Sequence, residues 1–283
     1  MAKDSPITWT DSTFNAWWGC FKISPGCKHC YADAFDHRLG GDHWGEKAPR
    51  RFFGDKHWNE PLKWSAAAID AGIRRRVFCS SMSDVFEDRR DLDPHRERLW
   101  KLIDATAGGL DWLLLTKRPE NFGMLPTAPP NVWRGVTVED ADYLYRVDIL
   151  RRTPAAVRFV SAEPLLGPID FEKIVHKLGE HSRMTANALQ ADDGFGLNAK
   201  RNRIDWVIVG GESGTEARPF DLAWGRSIVA QCQRNGVACF VKQMGDNPTC
   251  VSGGRTLELK LSSHHGEDWI EWPDDLRVRE FPR

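Results

Sequence analysis

A short apolar run, then a polar cluster, then a helix-like segment recurs along the chain, and this alternation restricts the fold more than any other feature. The strand candidates are Val77–Cys79, Trp112–Leu115, Val132–Val138, Val157–Val160, Trp206–Val209 and Cys239–Val241, with an opening strand near Ile7–Thr10. They are rich in Val, Ile, Leu and Phe without strict alternation, the pattern of parallel strands covered on both faces. The intervening segments carry helix ends. Asp93-Pro94 starts one helix, with Leu99, Leu102, Ile103 and Thr106 on one face. Asp140 caps a second, Asp221 caps a third that stops at Gly236, and Pro61 to Gly72 makes a fourth. Such alternation builds right-handed βαβ units. Six or seven of them predict an α/β fold, a parallel (β/α) partial or complete barrel.

Residues 1–244 are expected to form this barrel, with a polar insertion at about 172–203. Residues 245–283 read as a C-terminal appendage in which Thr256–Leu261 is an edge-strand candidate. Among 283 residues, 39 basic and 40 acidic side chains give a formal net charge of -1, which excludes a polybasic coat protein but not a local basic cleft. Hydrophobic residues at 41% exclude disorder as the main state. No apolar run approaches the roughly 18 residues of a membrane span, and Met1–Trp9 has no signal-peptide core. The expectation is a cytoplasmic protein with no membrane partner.

Ligands of parallel α/β folds bind at the carboxyl ends of strands. The residues at those ends are Ser80-Ser81-Met82-Ser83-Asp84, Thr116-Lys117-Arg118, Glu139, Ser161-Ala162-Glu163, Gly210-Gly211-Glu212-Ser213 and Lys242-Gln243. They predict one site ringed by hydroxyls, carboxylates and two lysines. Gly210 and Gly211 let a ligand approach the backbone. Neither the three-glycine dinucleotide fingerprint nor a Gly-Lys-Ser/Thr phosphate loop is present.

Three of the seven cysteines crowd into Cys20, Cys27 and Cys30, with six residues in the first gap and two in the second. In a large chain without a disulfide framework, such crowding points to metal or redox chemistry. Gly19, Pro25 and Gly26 allow tight folding of the loop. With His29 or His37 as a fourth ligand the set suits tetrahedral zinc. Without a fourth, it suits a [4Fe–4S] cluster with one iron open.

The loop resembles that of the radical S-adenosylmethionine (SAM) superfamily. More narrowly, Thr8-Trp9, Asn15-x-Trp17-Trp18-Gly19-Cys20 and Ser24-Pro25-Gly26-Cys27-x2-Cys30-Tyr31-Ala32 resemble a family of largely unassigned phage- and plasmid-borne proteins grouped near spore photoproduct lyase. Ser81-Met82-Ser83-Asp84, Leu115 to Pro119, Ser161-x-Glu163-Pro164-Leu165-Leu166, Gly210 to Gly214, Val241-Lys242-Gln243 and Trp272-Pro273-x-Asp275-Leu276-Arg277 are similar to it too. The resemblance spans the chain except residues 172–203. It departs from the superfamily in the first gap, commonly three residues, and in having His29 where an aromatic usually precedes the third cysteine.

The resemblance implies that Cys20, Cys27 and Cys30 hold a [4Fe–4S] cluster whose open iron takes SAM. One electron from an unidentified donor then cleaves SAM to a radical that abstracts hydrogen from substrate. Trp17 and Trp18 are candidates for excluding water, and the strand ends for holding SAM. Ser81, Ser83 and Asp84 would take its ammonium, Lys117 or Arg118 its carboxylate or a substrate phosphate, Glu163 or Glu212 its ribose, near Gly210 and Gly211. DNA or RNA is the leading substrate class, supported by the runs Arg74-Arg75-Arg76 and Lys200-Arg201-x-Arg203. A peptide or metabolite is the substitute. The competing reading is a zinc-stapled module that binds nucleic acid or protein without catalysis. Cys79, Cys232 and Cys239 read as core thiols, and Cys232, Cys239 and Cys250 are not expected to converge on a second metal.

Overall fold

The computed structural model describes residues 3–125, 129–177, 183–191 and 202–282. The chain divides into two units. The first is residues 1–135 with 154–156, and the second is 136–153 with 157–283.

In the first unit, β1 (Ser12–Thr13) is followed by the cysteine loop and by α1 (Tyr31–Arg38), α2 (Asp55–Trp58) and α3 (Glu60–Asp70). Pro61 sits in the first turn of α3, where its missing N–H has no cost, and Trp64, Ser65 and Ala68 face inward. Next come β2 (Arg75–Cys79), α4 (Asp93–Ala105), β3 (Leu110–Thr116) and β4 (Val132–Thr137), whose last residues pass into the second unit. Strand β2 lies parallel to both β1 and β3. The start of β3 presses against α3, where a Cβ on Gly109 would meet the Ser65 carbonyl oxygen at 2.5 Å. The core is aromatic. Fully buried Phe14 meets Trp112 edge-on at 5.6 Å and Trp58 at 5.3 Å. The Trp112 indole N–H donates to Thr106 Oγ1 at 2.9 Å, so this large buried ring leaves no donor orphaned.

The second unit holds α5 (Tyr145–Arg152), β5 (Val157–Ala162), the antiparallel pair β6 (Ile174–Lys177) and β7 (Arg183–Ala186), and β8 (Trp206–Gly210). After β9 (Phe220–Asp221), α6 (Leu222–Asn235) is capped by the Asp221 carboxylate on the Ala223 N–H and ends at Gly236, left-handed at φ +61°. Strands β10 (Ala238–Gln243), β11 (Pro248–Ser252) and β12 (Arg255–Glu258) complete it. All five residues of β8 are buried, and β8 runs parallel to β5 and β10.

One parallel sheet takes the order β1-β2-β3-β4-β5-β8-β10. The sequence order never reverses, so the fold is α/β with a partial (β/α) barrel sheet rather than a doubly wound one. Every expected interior strand is present, but the opening strand is Ser12–Thr13. Residues 7–10 turn instead, with the Thr10 N–H on the Ile7 carbonyl at 3.2 Å. Asp140 caps a single turn, Ala141–Tyr143, with α5 beginning after it. The β6–β7 pair falls inside the expected insertion. The C-terminal residues supply β11 and β12, which join β9 in a second sheet, and Val278 accepts from the Val241 N–H at 2.8 Å.

No described helix is long and apolar enough to cross a membrane. Ile208, central in β8 and fully buried, tests the packing of the second unit. Ile208→Ala should lower unfolding free energy by about 2–5 kcal/mol in urea titration; a loss under about 1 kcal/mol contradicts this burial.

Candidate functional site

The strand-end residues of the first unit converge on Asp84, just beyond β2. Its Oδ1 accepts from the Phe86 N–H at 3.0 Å and from Thr116 Oγ1 at 2.8 Å. Its Oδ2 accepts from the Lys117 N–H at 3.3 Å and from Arg118 Nη1 at 2.9 Å. The ion pair is buried, with side-chain exposures of 4% for Arg118 and 8% for Asp84. From there Arg118 reaches the cysteine loop: Nη2 donates to the Phe21 carbonyl at 2.9 Å, Nη1 lies 3.7 Å from Cys20 Sγ, and the guanidinium stands 4.3 Å from the Phe21 ring centroid. Asn15 braces the other side. Its Nδ2 donates to Ser81 Oγ at 3.0 Å and its Oδ1 accepts from the Met82 N–H at 2.8 Å. The Tyr31 hydroxyl, next to Cys30, donates to the Ser81 carbonyl at 2.7 Å. The Ser83 hydroxyl is buried without a hydrogen-bond partner.

All three loop cysteines are free thiols. They differ in acidity. Burial pushes the Cys20 thiol up to about 12, more than the Arg118 charge recovers. Burial also opposes ionisation of Cys27, but the Lys117 charge, backbone hydrogen bonds at Ile23 and Ser24 and the Ser24 hydroxyl together hold its pKa below the ordinary thiol value. Cys30 is raised by burial, which outweighs its backbone hydrogen bonds and Lys117, and the neighbouring Cys27 adds to the rise. Lys117 therefore faces two of the thiols and Arg118 the third.

Among the described residues, no group of three or more His, Cys, Asp or Glu side chains is arranged to hold a single metal ion. His37, one expected fourth ligand, is 3.2 Å from Asp33. A single zinc ion requires every ligand atom within about 2.3 Å of one point. An iron–sulfur cluster takes each thiolate on a different iron, so its cysteines stand further apart. Three free thiols near the charges of Lys117 and Arg118 are the donors that such a cluster would use.

The strand ends of the second unit form their own cluster. Glu163 lies 3.0 Å from Lys242 Nζ through Oε1, and its Oε2 accepts from Ser161 Oγ at 3.0 Å. A Cβ on Gly210 would stand 2.8 Å from Glu163 Oε1 and displace that carboxylate. Gly211 is more tightly constrained, with the Met244 carbonyl oxygen 2.1 Å from where a Cβ would sit. Gln243 Nε2 donates to the Gly211 carbonyl at 2.9 Å. Glu212 turns to Arg218 instead, accepting from its backbone N–H at 3.0 Å and its Nη2 at 2.5 Å. Glu139 likewise takes Arg146 Nη1 at 2.8 Å in a buried pair.

The sequence matches, over residues 4–273, a family described as protein of unknown function, DUF5131. The chain belongs to the DUF5131 family. No curated protein matches it. In this DUF5131 protein the expected site residues belong to both units: Cys20, Cys27, Cys30, Ser81, Ser83, Asp84 and Lys117 to the first, Glu163, Gly210, Gly211 and Glu212 to the second. Asp84 holds Thr116, Lys117 and Arg118, and Glu212 holds Arg218. Cys79 is a core thiol, pushed up to about 12 by burial. Cys232 and Cys239 are buried too, but they meet through a thiol hydrogen bond that the sequence reading did not expect.

Sequence reasoning passed over two pairs beside the loop. Buried Asp36 holds His43 Nδ1 at 2.9 and 3.0 Å and the His43 N–H at 3.1 Å. Fully buried Arg50 and Glu87 form an ion pair, and Arg50 also donates to the carbonyls of His43, Gly45 and Ala48. The Gly45 N–H in turn donates to the Cys20 carbonyl at 2.9 Å.

The graded thiols give a direct test, because the thiolate is the reactive form. In metal-free protein near neutral to mildly alkaline pH, iodoacetamide should modify Cys27 first and Cys20 last, read by peptide mass mapping. Equal rates at the two would contradict the assigned environments. Asp84→Asn should destabilise the fold by about 3–5 kcal/mol, since Arg118 stays charged and loses its buried partner; thermal unfolding measures it.

Proposed function

We propose that this DUF5131 protein is a radical SAM enzyme whose Cys20, Cys27 and Cys30 hold a [4Fe–4S] cluster. The observation that carries the reading is the grouping of three free thiols near the charges of Lys117 and Arg118. When bound, that group supplies reductive cleavage of SAM and hence hydrogen abstraction from substrate.

The chain's own residues have distinct tasks. Lys117 and Arg118 set positive charge beside the thiols, which favours their ionised, metal-binding form. Asp84 fixes Arg118 and the end of β3. Ser83 offers its unpartnered hydroxyl, and Ser81 is held in place by Asn15. Buried Trp17 keeps water away from the start of the loop. In the second unit, Glu163 and Lys242 offer a carboxylate and an ammonium above Gly210, a pair suited to a zwitterionic or hydroxyl-rich ligand.

The basic runs give little support to a phosphate groove. Arg74 pairs with Asp111 at 2.7 Å, Arg75 with Asp4 at 2.9 Å and Arg76 with Asp11 at 3.2 Å. Arg118 is buried on Asp84, and Arg203 lies 3.7 Å from Asp205. Lys200 and Arg201 lie outside the described residues. The nucleic-acid reading therefore needs another surface.

Protein purified without oxygen should contain about four iron and four sulfide per chain. With a strong reductant it should convert SAM to methionine and 5′-deoxyadenosine. Alanine at Cys20, Cys27 or Cys30 should abolish iron retention, whereas alanine at Cys250 should not. Tight zinc binding with neither iron nor SAM cleavage would sink the proposal in favour of a zinc-stapled module.

A further inference from the structure

A strip of aromatic rings leads away from the cysteine loop within the first unit. Phe35, on α1, meets Trp18 with ring centroids 6.0 Å apart, and Trp18 meets Phe53 at 5.9 Å. Phe53 stacks on His57 at 4.2 Å with 13° between the planes. Arginines interleave with these rings. The Arg51 guanidinium lies 4.7 Å from the Trp18 centroid and 5.6 Å from that of Phe53, and Arg38 lies 5.9 Å from Phe35. Phe35 is 40% exposed, and Trp18, Phe53 and His57 are half-buried. At its far end a cavity of about 350 Å³ is lined by Phe53, Gly54, Lys56, His57 and Glu60.

Several carboxylates around the strip are already paired. Of the nearby carboxylates, Asp33 holds Lys22 at 2.8 Å, Asp36 holds His43, Asp55 holds Arg98 at 2.7 Å and Glu60 holds Lys63 at 2.7 Å. Arg38, Arg51 and Lys56 have no carboxylate partner among the described residues. The His57 ring is fixed by donation from Nε2 to the Asn15 carbonyl at 2.7 Å, so its face stays flat against Phe53.

We propose that this strip binds single-stranded nucleic acid, with an unpaired base in the cavity against the Phe53–His57 stack and the backbone phosphates on Arg51, Arg38 and Lys56. Aromatic faces with interleaved cations suit a strand whose bases are open, because every base has a face to stack and every nucleotide a phosphate to neutralise. A duplex does not offer this, since its base faces are covered by neighbouring pairs. The proposal stands on the rings and cations alone and does not rest on the radical SAM reading.

The test is fluorescence anisotropy of the full-length protein with a labelled oligothymidylate of about 12 nucleotides at about 50 mM salt. Binding is expected, weakening steeply by about 200 mM salt, with a duplex of equal length held at least about tenfold less tightly. Phe53→Ala and Arg51→Ala should each reduce affinity by about 5- to 100-fold. Arg51→Lys, which keeps the charge without the planar face, should fall between Arg51→Ala and the native chain. Arg51 is exposed, so its variants keep the test valid if Phe53→Ala unfolds. No binding of the single strand at low salt, equal duplex binding, or native affinity in Arg51→Ala would overturn the proposal. A protein that binds the strand but cleaves no SAM keeps this inference and rejects the enzymatic one; cleavage without binding does the reverse.

Discussion

One buried carboxylate, that of Asp84, ties three stretches of the first unit together. It fixes the turn beyond β2 through Phe86, the end of β3 through Thr116 and Lys117, and the cysteine loop through Arg118. The arrangement is demanding because a guanidinium does not shed its proton inside a protein. Once Arg118 is buried its charge must be met, and Asp84 meets it while Cys20 and the Phe21 carbonyl take two further donors. The loop is thus positioned by an electrostatic requirement of the strand ends. Loop propensity alone would not hold three cysteines in place.

Because the fixed cation lies beside Cys20 and the more exposed Lys117 faces Cys27 and Cys30, the three thiols sit in different fields. Burial dominates at Cys20, and nearby donors dominate at Cys27. The second unit applies a related device with a different outcome. There the carboxylate of Glu163 meets Lys242 and Ser161, and the absence of a side chain at Gly210 leaves room for that pair.

Much of the fold was legible because parallel strands announce themselves as unbroken apolar runs. Trp206 to Val209 and Val157 to Val160 needed no partner to be recognised. The opening strand was misplaced because only Ser12 and Thr13 pair, and two residues carry no periodicity. The cysteine loop was legible from its spacing and glycines. Charged residues were harder, since sequence gives a side chain's type but not its partner. Arg74-Arg75-Arg76 read as a basic run, yet Asp111, Asp4 and Asp11, distant in sequence from that run, neutralise it. The partners of Asp84 and Glu212, Arg118 and Arg218, were hidden for the same reason. Asp36–His43 and Arg50–Glu87 gave no local motif at all.

The near-zero net charge takes on a different meaning in this light. Many of the 39 basic and 40 acidic residues pair at short range, and several of the pairs are buried. Paired charges cancel in the far field, so the field outside the protein depends on the cations left without a carboxylate. Lys117 is one of these and faces the thiols; Arg38, Arg51 and Lys56 are others and lie along exposed rings. The neutral total therefore does not describe either surface. The cations beside the cysteine loop and along the aromatic strip act on their own surroundings, whatever the total charge.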